Sequence, residues 1–70
     1  MVEWQELVWQ YLLQELHEYP DISVIHNGVF IHMTVNGSDQ TYMFDMNGYA
    51  GNTSAEIAKN IAKDIIENYL

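Results

Sequence analysis

Between residues 2 and 19 the apolar side chains Trp4, Leu7, Val8, Tyr11, Leu12, Leu16 and Tyr19 recur at steps of three and four. That period gathers them on one side of an α-helix. The pattern predicts a first helix over residues 2–19, stopped by Pro20, whose ring cannot continue the ladder and whose predecessor is pushed out of helical conformation. Val2, Trp9 and Leu13 widen the apolar stripe to an arc of roughly 200°, more surface than one packing partner covers.

From Ile22 to Met46 the period changes to two, with turn chemistry between the runs, which predicts two successive hairpins. Asn27-Gly28 suits a tight type I′ turn and would set Val29 opposite His26, Phe30 opposite Ile25, Ile31 opposite Val24 and Met33 opposite Ile22. Asn36-Gly37-Ser38-Asp39 marks the second turn. Whether it uses two residues or four, Met33 falls opposite Tyr42, Ile31 opposite Phe44 and Val29 opposite Met46. One face then carries Ile22, Val24, Val29, Ile31, Met33, Val35, Tyr42, Phe44 and Met46, a core surface for a three-stranded antiparallel meander.

Asn47-Gly48 and Gly51-Asn52 mark a loop, and Thr53 with Glu56 three residues later has the form of a capping box that opens a second helix. Ile57, Ala58, Ile61, Ala62, Ile65, Ile66 and Tyr69 form its apolar stripe; Lys59, Asn60, Lys63, Asp64 and Glu67 form the other side. The expected fold is α+β, an α-β-β-β-α two-layer sandwich with both helices on one face of the sheet.

Seventy residues suffice for one domain, 1–70, and not for two cores. Without cysteine, stability must come from packing, within the chain or against another subunit. No basic segment precedes an apolar run, and no apolar stretch approaches the roughly 20 residues that cross a bilayer, so a soluble, cytoplasmic protein without membrane contact is expected. Two glycosylation-like triplets, at Asn36 and Asn52, are therefore read as chance.

The net charge is -8, from ten acidic residues against two basic ones. The acid count is ordinary; the shortage of bases is not. Both bases, Lys59 and Lys63, lie late in the chain, so residues 1–58 carry acids with no cation. This sign argues against direct nucleic-acid binding, which needs a basic face.

Little in the sequence points to catalysis. Ser23, Ser38 and Ser54 fall in a strand, a turn and a helix cap, none paired with a base for nucleophilic work. His17 lies on the polar side of the first helix, while His26 and His32 point to opposite sheet faces, so they do not converge on a metal. Asp45-x-Asn47 resembles the start of a calcium loop, but Tyr49 and Ala50 stand where that loop needs an oxygen ligand and glycine; it is read as a turn. The odd carboxylate is Glu15, near the middle of the apolar arc. It is either an acid–base group in an apolar site, or bonded by Tyr11 and Tyr19, or placed where the helix end reaches water. No catalytic, cofactor or metal residue is assigned.

A contact face is better supported. On the side facing away from the core, Ile25 and Phe30, with His32 and Met43, form an apolar cluster among polar neighbours. They read either as an interface or as cross-strand pairs that merely steady the strands. Trp9 and Leu13, off the main stripe of the first helix, are a second candidate, unless Trp9 folds against the second helix.

The order of elements, together with Ser54-Ala55-Glu56-Ile57-Ala58-Lys59-Asn60-Ile61-Ala62, resembles the double-stranded RNA-binding domain, whose second helix opens with a similar run. In that family a Lys-Lys-x-Ala-Lys stretch grips phosphates there. Only Lys59 matches by position, the first two lysines being Ala55 and Glu56. The first helix, which would contact RNA, offers Glu3, Glu6 and Gln10. The resemblance implies the fold and not RNA binding, because an acidic surface repels phosphates.

The expected function is a non-enzymatic protein-protein interaction module that engages a basic surface of a partner. In this it resembles the small acidic inhibitors made by phages that occupy a nucleic-acid-binding groove. Its expected contact residues are Ile25, Phe30, His32, Met43, Trp9, Leu13, Glu3 and Glu6. The alternatives are a structural homo-oligomer, for instance a homodimer, whose charge only maintains solubility, and a small enzyme centred on Glu15.

Overall fold

The computed structural model describes residues 3–70. Its elements follow the predicted order: α1 (Trp4–Glu15), β1 (Ile22–Asn27), β2 (Phe30–Val35), β3 (Thr41–Asp45), a short 3-10 turn (Met46–Gly48) and α2 (Ser54–Tyr69). The strands form one antiparallel sheet in the order β1-β2-β3. Both helices contribute to a single apolar core against one sheet face. Val8, Leu12 and Leu16 meet Ala58, Ile61, Ala62 and Ile65 over Val24, Ile31, Met33, Phe44 and Met46. Among the described residues, no helix is long and apolar enough to cross a membrane.

Helix α1 is shorter than its apolar period. It ends at Glu15, and the chain tightens through His17 N–H to Gln14 O (3.3 Å) and Tyr19 N–H to Leu16 O (2.9 Å). Pro20 exerts its effect a full turn early, since its ring would strike the carbonyl four residues back. Val2 lies outside the described residues. The shortening also decides between the three readings of Glu15 in favour of a helix end that reaches water. Tyr19 is not helical and cannot serve as its fourth-residue neighbour, and Glu15 is exposed at the helix end rather than set in an apolar arc.

The first hairpin differs from expectation by one step of its turn. Asn27 pairs with Phe30, Ile25 with His32, Val24 with Met33 and Ile22 with Val35, so the turn residues are Gly28 and Val29. Gly28 alone has positive φ (+59°), the pattern of a type II′ turn with glycine first. Asn27 thereby avoids the left-handed conformation that a type I′ turn would impose on it. The register moves by two residues, which preserves every side chain's face. Phe30 is consequently not opposite Ile25. The second hairpin has the expected register, with Ile31 facing Phe44 and Met33 facing Tyr42.

After β3 the Asp45 side chain accepts the Asn47 N–H (2.9 Å) and starts the 3-10 turn, so Asp45-x-Asn47 is a turn motif. At the start of α2, Thr53 Oγ1 accepts the Glu56 N–H (3.2 Å), while Glu56 reaches past Thr53 to the Asn52 N–H (3.0 Å). The capping box is therefore displaced by one residue on its return arm.

The connecting loop is tied to α2 by Tyr49, whose hydroxyl donates to Asp64 Oδ2 at 2.6 Å, and by Asn60, whose amide donates to Ala50 O at 2.6 Å. Burial, reinforced by the Asp64 carboxylate, pushes the Tyr49 hydroxyl above the ordinary tyrosine range. A raised value in the folded state contributes stability that is present below the unfolded value of about 10 and lost as pH climbs through the folded one. Tyr49→Phe is expected to cost about 1 kcal/mol at neutral pH, because Asp64 keeps Asn68 as a partner. It should also flatten the alkaline fall in stability, which urea titrations at neutral and high pH would reveal.

Candidate protein-binding face

In a strand, successive side chains point to opposite faces, so the core on one side of this sheet dictates what the other side displays. The register aligns Ile25, His32 and Met43 in one row across all three strands. Ile25 is 64% and Met43 62% exposed, on the two outer strands, with half-buried His32 between them. Phe30, 41% exposed, pairs with Asn27 and Asp45 one step along β2, diagonal to both Ile25 and Met43. The next row toward the other end is polar: Ser23, Thr34 and Thr41, with the two threonine hydroxyls 3.5 Å apart. The apolar group is thus contiguous and bounded by polar rows. Three large side chains left exposed together on a face no helix covers are what an interaction surface looks like.

The structure brings Ile25, Phe30, His32 and Met43 together and keeps the other expected contact residues apart from them. Trp9 is half-buried and bonded within the fold. Its indole N–H donates to Val24 O at 2.9 Å, and its ring lies 5.2 Å from that of His26. It turns to β1 rather than to α2, because an outer strand presents main-chain carbonyls that need donors. Leu13 is exposed on the flank of α1. Glu3 is the exposed N-cap of α1, and Glu6 sits in its first turn, where a carboxylate complements the helix dipole.

Charge is distributed unevenly between the layers. Glu3, Glu6 and Glu15 lie on or at the start of α1 and Glu18 just after it; Glu56, Asp64 and Glu67 lie on α2. On the open sheet face the strands contribute only Asp45. Both lysines line a groove of about 420 Å³ beside α2, together with Glu15, Glu67 and Ile66, so opposite charges share that groove. The acidic surface and the apolar patch are consequently different surfaces of the molecule.

The histidines have separate local roles. His17 Nδ1 lies 2.7 Å from Gln14 O at the end of α1, His26 stacks with Trp9, and His32 belongs to the open-face row. Among the described residues no group of three or more His, Cys, Asp or Glu side chains is placed to hold a metal ion. No family model, curated protein or solved structure matches the chain.

Proposed function

We propose that the chain is a non-enzymatic protein-binding module whose contact surface is the open face of the sheet, centred on Ile25, Phe30, His32 and Met43. The observation that carries this reading is the contiguous exposed apolar row, displayed by a sheet whose other face is fully used by the core. The net charge is -8, with seven of the ten acids on or beside the helices. It steers association toward a partner with a basic surface and discourages nucleic acid and anionic lipid. A protein that binds nucleic acid through a basic groove meets both conditions, which makes inhibition of such a protein the specific form of the proposal.

The test is capture of partners from the native host by immobilised protein, with Phe30→Ser as the comparison. The variant is expected to stay folded by circular dichroism and to lose at least about tenfold in affinity, the order of an interface aromatic worth more than 1 kcal/mol. Rising salt should slow association more than it speeds dissociation, since the acids lie away from the patch. Capture by the variant at undiminished strength would remove the open face as the site.

A further inference from the structure

The two outer strands are finished differently. Asp21 O accepts the Asn36 N–H (2.7 Å), which extends the β1-β2 ladder and fixes its alternation, so the main chains of Ile22, Val24 and His26 point away from β2. That outward side is partly taken: Tyr19 O accepts the Ile22 N–H (3.1 Å), and the Trp9 indole donates to Val24 O. On the other edge, Val29 O accepts the Met46 N–H (2.9 Å), so by the same alternation the N–H and C=O groups of Thr41, Met43 and Asp45 point away from β2. Among the described residues no further strand, indole or loop main chain bonds to the groups of Thr41 and Met43 or to the Asp45 N–H, while the Asp45 C=O opens the 3-10 turn that follows and keeps its second lone pair. Strand β3 also lacks the usual blockers of edge pairing, having no proline, lysine or bulge.

From this asymmetry we infer that β3 pairs antiparallel with β3 of a second copy about a twofold axis at Met43, giving one continuous six-stranded sheet. The outward residues are symmetric about Met43, so the pairing sets Met43 against Met43, Thr41 against Asp45, and Tyr42 against Phe44. No two carboxylates face each other. The strand carries a single acid, Asp45, and seven of the ten acids lie on or beside the helices, so this edge meets its copy with little repulsion. The Ile25–His32–Met43 row of one copy runs directly into that of the other, joining two apolar patches into one. Parallel pairing would instead place Asp45 beside Asp45 and break the row. The inference rests on the β3 edge and does not depend on which partner the open face meets.

Sedimentation of the full chain over a dilution series, with amide exchange followed residue by residue, tests it. A dimer should form at high concentration, with the Thr41, Met43 and Asp45 amides protected there and losing protection on dilution. The amides of Tyr42 and Phe44, already bonded to β2, should not change. Added salt should preserve or tighten the dimer, the opposite of its effect on a basic partner. Met43→Lys, at an exposed position, should abolish the dimer while leaving the monomer folded, whereas Ile25→Lys on the same face but the far edge should leave the dimer intact. A chain that is monomeric throughout, a dimer whose odd-numbered β3 amides stay unprotected, or one that survives Met43→Lys overturns the inference. Loss of partner capture by Phe30→Ser in a chain that never dimerises would retain the proposed function and discard this pairing.

Discussion

Leu12→Ala should lower the unfolding free energy by about 3 kcal/mol, within the range for deleting a fully buried leucine. Leu12 has no exposed surface and lies between Val8 and Leu16 on the one stripe of α1 that reaches the core. It belongs to the cluster that both helices and the sheet build, so packed surroundings resist collapse into the space it leaves. Without a disulfide, packing carries the fold, and a loss of this size is a large share of the roughly 5–15 kcal/mol typical of a domain. The adjacent Leu13 is exposed, and Leu13→Ala should change stability by no more than about 0.5 kcal/mol. Urea denaturation followed by circular dichroism compares the two. Equal losses would mean that α1 presents a different face to the sheet.

The second large effect is expected at Gly51→Ala, again about 3 kcal/mol, the sum of backbone strain and forced overpacking. Gly51 has φ +153°, and a Cβ there would lie 2.9 Å from both Ile57 Cγ1 and the Ile57 main-chain nitrogen, and 3.1 Å from Glu56 Cβ. The Ile57 side chain has some freedom to yield; its nitrogen does not, because it donates to Thr53 O (3.1 Å) within the first turn of α2. The added methyl therefore pushes the loop away from the helix start and strains the cap formed by Thr53 and Glu56. Gly28→Ala is the informative contrast. A Cβ at Gly28 meets nothing within 4 Å, so only its φ of +59° counts against alanine, and about 1 kcal/mol is expected. Should Gly51→Ala prove no worse than Gly28→Ala in the same denaturation assay, the close approach of residue 51 to α2 is wrong.

The strands were legible because alternation is a local property: Ile31, Met33 and Phe44 declare their face by spacing alone, and a two-residue change of register leaves that face untouched. The first turn was not. Asn27-Gly28 and Gly28-Val29 are both admissible hairpin turns, and the choice between them turns on which pairs form across the strands. A glycine standing first in the turn was the available signal. For Glu15 the wheel leaves three readings open, and only the end of α1 at that residue selects the one in which the helix end reaches water. Trp9 was ambiguous for another reason: an off-stripe aromatic reveals its partner only once the strand beside it, with an unpaired Val24 carbonyl, is in place.

For the candidate site the division is similar. Spacing alone was enough to select Ile25, Phe30, His32 and Met43 as the side chains opposite the core. Their union into one row across three strands required the register, a tertiary quantity. The separation of the acidic helices from the apolar sheet face, and the contrast between a filled β1 edge and an open β3 edge, likewise required the assembled layers. By itself the sequence determined the order of elements, the two helical stripes, the alternation of the strands and the sign of the charge, because each follows from backbone periodicity or composition. Only the tertiary structure decided the first register, the exposure of Glu15, the role of Trp9 and which main-chain groups remain open, because each depends on contacts between residues distant in the chain.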